Sequence, residues 1–374
     1  MLVASGWWLV KATSHQLKEK FPMRKFLLFI LLLLTAVACD DLLPAIDSPP
    51  IVDSGSGDWY QIYFTNPTCP PEDQRQGGLD EIIAADLLEA QLQVDMAAFD
   101  FDAPPMVDAL IALKNRGVTV RVVTDTDHAD QSSINRLRRN GISVVEDKRG
   151  AFMHNKFIVI DGRYTWTGST NFTTNDIYCY NNNLVRIDSA QLAANYRAEM
   201  DEMVNDRKFG PTSPAATPNE QLTIGGVRVE NYFASETKVA PIIGRLVSQS
   251  QNDIKFMAFS FTHEDIGEAM IERAQQGVNV QGVFETTGSQ TEFSYYGDML
   301  SERLPNLQVR QDGNPRLMHH KVIIIDGKTT IFGSFNFTGN ANNSNDENVL
   351  IVHDPTFASY FLAEFEAVWN EAKQ

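Results

Sequence analysis

Cysteine and positive charge are both scarce in this sequence of 374 residues. It has 3 cysteines and neither a Cys-x-x-Cys pair nor a His/Cys cluster, so we expect no metal site. Lysine and arginine number 31 against 48 aspartate and glutamate residues, for a formal net charge of −17. Nucleic-acid-binding proteins usually carry a basic surface that neutralises phosphates. The charge therefore disfavours nucleic acid as the main substrate.

The N-terminal apolar run from Phe26 to Leu34 is too short to span a membrane comfortably. Arg24 and Lys25 precede the run and small residues follow it, which is typical of a secretory signal. We expect residues 1–38 to be a signal peptide, with Met23 as an alternative native start. The mature protein is then extracytoplasmic, either secreted or anchored at a membrane.

The residues around the expected cleavage site, Ala36 to Cys39, resemble a bacterial lipobox, in which the cysteine becomes the lipidated first residue. Leucine is commoner than alanine at the place of Ala36, so ordinary cleavage after Ala38 is the alternative. We expect a lipidated Cys39 that holds the protein at a membrane surface, followed by a flexible tether over residues 39–58. Cys69 and Cys179 form either a disulfide or two free thiols, and the sequence leaves both open.

Two near-copies of one phrase lie 165 residues apart, from Met153 to Asn171 and from Met318 to Asn336. Both contain the pattern H-x-K-(x)4-D-(x)6-G-S-x-N. Its histidine, lysine, serine and asparagine are polar residues of the kind that bind a phosphate. A histidine and a lysine two positions apart on a strand share one face, so the residues between them, Asn155 and His320, point away. The paired positions are His154 and His319, Lys156 and Lys321, Asp161 and Asp326, Ser169 and Ser334, and Asn171 and Asn336.

The chain around the two phrases repeats as well, on either side of a proline-rich break from Gly210 to Pro218. Strands alternate with helices in each half, which predicts an α/β fold of two duplicated α-β-α sandwich lobes. We place lobe 1 at residues 59–210, a linker at 211–222 and lobe 2 at 223–374. The predicted strands are Ile62–Phe64, Val94–Phe99, Val118–Val123, Phe157–Ile160 and Leu184–Ile187, then Val229–Phe233, Ile254–Phe261, Val278–Phe284, Val322–Ile325 and Val349–Val352.

The doubled pattern resembles the signature of the phospholipase D superfamily, over roughly residues 59–374. The resemblance implies that both lobes face one central site, and that the protein needs no metal or cofactor and works as a monomer. It implies a phosphodiesterase in which one histidine forms a phosphohistidine and the other acts as acid and base. Among the paired positions, it implies catalytic roles for the histidines, lysines and aspartates, and a phosphate-binding or orienting role for the serines and asparagines. Export and charge favour a phospholipid substrate. The alternatives are an exported nuclease of the same superfamily and a non-catalytic phosphate-binding protein.

The resemblance also draws attention to one difference between the halves. Glu347 in the second half corresponds to Asn182 in the first. In the superfamily a residue at this place hydrogen-bonds a catalytic histidine, and in relatives the pairing crosses between the halves. We therefore expect Glu347 to support His154 and Asn182 to orient His319. A carboxylate partner favours a positively charged imidazole more than an amide does.

Overall fold

The computed structural model describes residues 52–373. The expected signal peptide, Cys39 and the first part of the tether lie outside the described residues. Within them, no helix is both long enough and apolar enough to cross a membrane.

The first half alternates strands with helices. Its strands are β1 (Val52–Gly57), β2 (Tyr60–Phe64), β3 (Gln93–Ala98), β4 (Thr119–Thr124), β5 (Ser143–Glu146), β6 (Lys156–Ile160), β7 (Tyr164–Gly168), β8 (Tyr180–Asn181) and β9 (Asn183–Asp188). Its helices are α1 (Leu79–Leu88), α2 (Pro104–Asn115), α3 (Ser132–Arg139), α4 (Thr174–Tyr178) and α5 (Ala190–Asp201).

The second half repeats this order. Its strands are β10 (Gln221–Ile224), β11 (Val227–Ala234), β12 (Asp253–Ala258), β13 (Asn279–Phe284), β14 (Leu307–Gln311), β15 (Leu317–Met318), β16 (Lys321–Ile325), β17 (Thr329–Gly333) and β18 (Glu347–His353). Its helices are α6 (Val239–Ser248), α7 (Glu264–Gln275), α8 (Tyr295–Ser301), α9 (Gly339–Asn343) and α10 (Pro355–Glu371).

Each half forms an eight-stranded mixed sheet among the described residues, and the two sheets have the same topology. The strand orders are β1-β2-β9-β7-β6-β3-β4-β5 and β10-β11-β18-β17-β16-β12-β13-β14. The central strands β6 and β16 are buried along their whole length, which explains their continuous apolar sequence. The predicted α/β fold with duplicated lobes is confirmed.

The two lobes share a hydrophobic core as well as a topology. Aromatic residues of one half pack on those of the other: the Phe64 and Phe361 ring centroids are 5.1 Å apart, and so are those of Tyr196 and Phe233. One buried cluster contains residues from both sheets and from helices α5 and α10. The lobes therefore stabilise one another. The exact residues at which each lobe begins and ends remain a prediction.

The end of the predicted tether is structured. Residues 52–57 form strand β1, which pairs antiparallel with β2, so the expectation of flexibility up to residue 58 is wrong for this part. Its small residues allow close packing, because a side chain on Gly55 would overlap the ring of Tyr360. The structure also decides the open question about the cysteines, since Cys69 and Cys179 form a disulfide.

Candidate active site between the two lobes

The two histidine-lysine phrases meet across the boundary between the lobes. The backbone N–H of His154 donates to the carbonyl of Asp346 at 2.9 Å, and that of His319 donates to the carbonyl of Asn181 at 2.9 Å. Strand β15, which precedes His319, also pairs in parallel with β8 of the first half. Each phrase is thus fixed by the segment that precedes the closing strand of the other lobe.

A carboxylate of the second lobe holds the ring of His154. Nδ1 of His154 lies 2.7 Å from Oε2 of Glu347, and both side chains are buried. The Ser334 hydroxyl donates to the same oxygen at 2.7 Å, and the Asn345 amide donates to the other oxygen at 3.0 Å. With Nδ1–H donated to this fixed carboxylate, Nε2 keeps its lone pair for chemistry.

An amide of the first lobe holds the ring of His319 in a corresponding way. Nδ1 of His319 lies 3.0 Å from Oδ1 of Asn182, which accepts a hydrogen bond from the Ser169 hydroxyl at 2.8 Å. Both histidine contacts cross between the lobes, as the resemblance implied. The two serines orient the partners of the histidines, which is one of the two roles expected of them.

Asp176 is a member of the site that the sequence did not reveal. Its Oδ1 lies 3.3 Å from Nδ1 of His319, and it also accepts hydrogen bonds from the amide groups of Asn171 and Asn182. Asp176 has no acidic counterpart in the repeat, because the residue 165 positions later is Ala341. The available signal was this difference itself: the segment that supplies the histidine partner carries one acid, Asp176, in the first half and two acids, Asp346 and Glu347, in the second.

The two lysines are buried beside the histidines. The ammonium group of Lys156 donates to the carbonyl of His154 at 2.8 Å, and that of Lys321 donates to the carbonyl of His319 at 2.7 Å. Each lies 4.9 Å from the centroid of an aromatic ring, that of Phe99 or Phe259. An ammonium group has three donors, so two remain on each lysine for phosphate oxygens.

Burial controls the protonation of these groups. It lowers the pKa of His154 to about 4, although Glu347 opposes the shift, and it lowers the pKa of His319 to about 3, with a further contribution from Lys321. Burial acts to raise the pKa of Glu347 and Asp176, but pairing with the histidines outweighs it and both pKa values fall. Near neutral pH the site therefore has two neutral imidazoles and two carboxylates.

Burial also lowers the pKa of the two lysines. The pKa of Lys156 falls to about 8, with Glu347 opposing the shift. The pKa of Lys321 falls well below its usual value, and the charge of Lys156 contributes to this. A bound phosphate anion strongly stabilises the charged forms of two lysines that lie this close together in a desolvated site.

Asp161 and Asp326 lie away from this chemistry, so their prediction as catalytic residues is corrected. Each follows the far end of the strand that begins with Lys156 or Lys321, about 16 Å along the chain at the usual rise per residue. The Asp161 carboxylate accepts from the backbone N–H groups of residues 91–93, at 2.9, 2.8 and 2.9 Å. Asp326 does the same for residues 251–253. Both aspartates fix a turn.

Asn155 and His320 point away from the histidine-lysine face, as expected from strand geometry. His320 binds Asn183 through Nδ1 at 2.9 Å and Glu364 through Nε2 at 3.0 Å. Asn155 accepts from Asn348 at 3.0 Å and donates to Glu199 at 3.0 Å. A second layer of buried polar contacts thus supports each catalytic strand.

Comparisons with known proteins agree with this geometry. A family model described as "Cardiolipin synthase, PLD-like domain" matches residues 83–204 and 243–369. Mitochondrial cardiolipin hydrolase of Xenopus tropicalis is 35% identical over 137 residues, covering 36% of this chain and 64% of that protein. A phospholipase D of Rickettsia bellii is 26% identical over 162 residues, covering 43% and 79%. The crystal structure of phosphatidylserine synthase from Haemophilus influenzae, 13% identical, gives a TM-score of 0.59 and covers 83% of this chain and 85% of that one.

A duplicated α/β fold with two histidine-lysine phrases at one lobe boundary is the arrangement expected of a phospholipase D-like protein. The two matched segments cover more than half of the chain, and the chain belongs to the phospholipase D-like family. The match covers less than two thirds of the first cardiolipin hydrolase relatives. The likeness to phosphatidylserine synthase shows the fold alone.

Proposed function

We propose that this chain is a metal-independent phosphodiesterase of the phospholipase D type, which hydrolyses phospholipids through a phosphohistidine. The observation that carries the proposal is the crossed pairing of His154 with Glu347 and of His319 with Asn182. Each pairing holds Nδ1, so both imidazoles present Nε2. One site thereby contains a nucleophile, a group for proton transfer and two cations for the phosphate.

In the first proposed step, Nε2 of His154 attacks phosphorus while the bond to the leaving alcohol breaks. His319 donates a proton to the leaving oxygen. In the second step His319 takes a proton from water, the hydroxyl oxygen attacks phosphorus, and the phosphorus–nitrogen bond breaks to restore His154. Lys156 and Lys321 neutralise the non-bridging oxygens throughout. The phosphate anion brought by the substrate raises the pKa of His319 from its low value, so that His319 takes up a proton from solvent as the substrate binds and donates it in the first step.

The choice of a phospholipid is supported by the acidic charge of the chain and by relatives named cardiolipin hydrolase and phospholipase D. An anionic protein repels the nucleic-acid backbone. A nuclease of the same family remains the alternative, because the histidine and lysine groups act on any phosphodiester.

The test is a parallel assay of the purified protein on phosphatidylcholine, cardiolipin and single-stranded DNA, in chelator and well below the unfolding temperature. We expect turnover of a phospholipid, loss of activity by orders of magnitude in both His154→Ala and His319→Ala, and full activity in the control His263→Ala. Cleavage of DNA alone would support the nuclease. Full activity in either site variant would refute a shared site. Sedimentation of the active species tests the expected monomer.

We propose in addition that the protein is exported and carries a lipid on Cys39. The basic and apolar segment before Cys39 and its lipobox-like neighbours support this proposal. Metabolic labelling with a fatty-acid analogue in a bacterial host should label the chain, and Cys39→Ser should abolish the label. A labelled Cys39→Ser variant, or unlabelled wild type, would contradict lipidation.

A further inference from the structure

Three glutamates, of which Glu199 is buried and Glu236 only partly buried, form a cluster outside the candidate active site. Glu199 lies on helix α5, Glu202 on the π-helical turn that follows it, and Glu236 just after strand β11 of the other lobe. One carboxylate oxygen from each lies within 4.8 Å of the others. Two of the three residues thus come from one lobe and the third from its partner.

The other half of the duplication shows what is unusual about this cluster. Glu199 corresponds to Glu364, but Glu202 corresponds to Ala367. Counted from the matching strands β11 and β2, Glu236 corresponds to Pro67. The equivalent place in the second half is an open cavity of about 440 Å³, lined by Glu364, Ala367 and Pro67 among others. Two of the three carboxylates, those of Glu202 and Glu236, therefore have uncharged counterparts at the equivalent place, where only Glu364 of the three is kept.

The two equivalent glutamates, Glu364 and Glu199, also differ in their hydrogen-bond partners. Glu364 bonds to a histidine, His320, whereas Glu199 bonds to the neutral amide of Asn155. Oε2 of Glu202 and Oε2 of Glu236 are buried and have no hydrogen-bond partner, and Glu202 is 9% exposed. The exposed Lys208 moderates the charge of Glu202 from outside the cluster.

Burial and mutual repulsion disfavour three negative charges here. Carboxylates grouped in this way, with buried oxygens of Glu202 and Glu236 that have no hydrogen-bond partner, need either protons or a positive ion.

We propose that Glu199, Glu202 and Glu236 bind a divalent cation of the hard, oxygen-seeking class, with Ca²⁺ as the first choice. Ca²⁺ takes carboxylate oxygens at about 2.4 Å, so two ligands on opposite sides of the ion stand about 4.8 Å apart. The three oxygens fall within that span. No histidine or cysteine belongs to the cluster, which disfavours zinc. Waters complete the coordination.

The ion links the lobes next to the catalytic strand. Glu199 accepts from Asn155, which lies between His154 and Lys156 in the chain, and Asn155 also accepts from Asn348 of the second lobe. The ion therefore stabilises the arrangement in which the lobes meet and takes no part in the reaction. It is separate from the catalytic scheme, which uses no metal, and it does not depend on the proposed substrate.

The experiment is a titration of the chelator-stripped full chain with Ca²⁺, followed by calorimetry and by thermal unfolding. We expect saturable binding and a rise in Tm of at least about 3 °C at saturation. Glu202→Gln and Glu236→Gln should each weaken binding at least about tenfold, because carboxylate count sets affinity in such sites. Glu220→Gln, an exposed nearby acid outside the cluster, is the matched control and should bind Ca²⁺ normally.

The direction in which Tm changes in the glutamine variants distinguishes a cation-binding role of the three glutamates from a purely structural role. Without Ca²⁺, each glutamine variant should unfold at or above the wild-type temperature, because a repulsive buried charge has been removed. With Ca²⁺, each should unfold below it. A lower Tm in both conditions would indicate a structural role and overturn the proposal. So would the absence of heat and of any Tm shift with Ca²⁺, Mg²⁺ and Mn²⁺ up to about 10 mM.

Discussion

Oδ1 of Asp176 lies 3.3 Å from Nδ1 of His319, so His319 has a carboxylate beside it as His154 does. The two halves reach this result differently. Glu347 contacts His154 directly at 2.7 Å, whereas Asp176 acts together with the amide of Asn182. Both histidines can therefore carry positive charge during the reaction, but with unequal support.

The first prediction concerns Asp176 as a positioning residue. Asp176→Asn keeps the size of the side chain but removes the charge that favours protonated His319, so we expect kcat to fall about 10- to 100-fold, or ~1.4 to 2.8 kcal/mol. The loss should be greater for a substrate with a poor leaving group, since that step needs the proton most. Asp130→Asn, an exposed acid, is the control. An equal loss for good and poor leaving groups would assign Asp176 a structural role only.

The second prediction is the pH dependence of activity. The phosphate needs charged lysines, and the pKa of Lys156 is about 8, so kcat/KM should fall more steeply above about pH 8, beyond the fall that loss of the His319 proton causes. His154 must be neutral to attack, and its pKa of about 4 keeps it so down to that pH. In Lys156→Arg, which stays charged, any remaining alkaline fall beyond that of His319 belongs to Lys321. A flat wild-type profile up to pH 10 would contradict these assignments.

The third prediction concerns the disulfide, which joins positions 110 residues apart in the first lobe. Closing so long a loop restricts the unfolded chain, for which the chain-entropy model gives ~4 to 5 kcal/mol as an upper value. The double variant Cys69→Ser/Cys179→Ser should therefore lose a few kcal/mol of unfolding free energy in urea denaturation. Cys39→Ser, outside the disulfide, should unfold like the wild type. An unchanged urea midpoint in the double variant would show that the bond adds no stability.

The doubled phrase allowed the central strands and the histidine-lysine face to be predicted, because strand periodicity and a repeated motif are both local signals. Asp176 could not be predicted from the repeat, because its counterpart in the second half is Ala341. Asp161 is duplicated, and on that ground the sequence predicted a catalytic role for it. A duplicated turn residue looks the same in sequence as a duplicated catalytic residue, so the repeat alone cannot distinguish them. The contact between Asn155 and Glu199 could not be predicted, since it depends on how helix α5 packs on the sheet.

The last prediction assigns the nucleophile to His154. A histidine bonded to phosphorus gains positive charge on its ring, which a carboxylate in direct hydrogen-bond contact stabilises best. Nδ1 of His154 has that contact at 2.7 Å, whereas the nearest acceptor of His319 is an amide at 3.0 Å. To act as an acid, His319 must release its proton, and an amide partner holds that proton less firmly than a carboxylate would.

Rapid acid quench during turnover, followed by mass spectrometry, should therefore find the phosphoryl adduct on the peptide that contains His154. With a good leaving group, His319→Ala should accumulate this adduct, because the first step no longer needs an acid while water is poorly activated for the second. Glu347→Gln should reduce the amount of adduct, since the positive ring loses its counter-charge. An adduct on the His319 peptide instead would reverse the assignment, and it would mean that Asp176, through its contact at 3.3 Å, is the carboxylate that stabilises the intermediate.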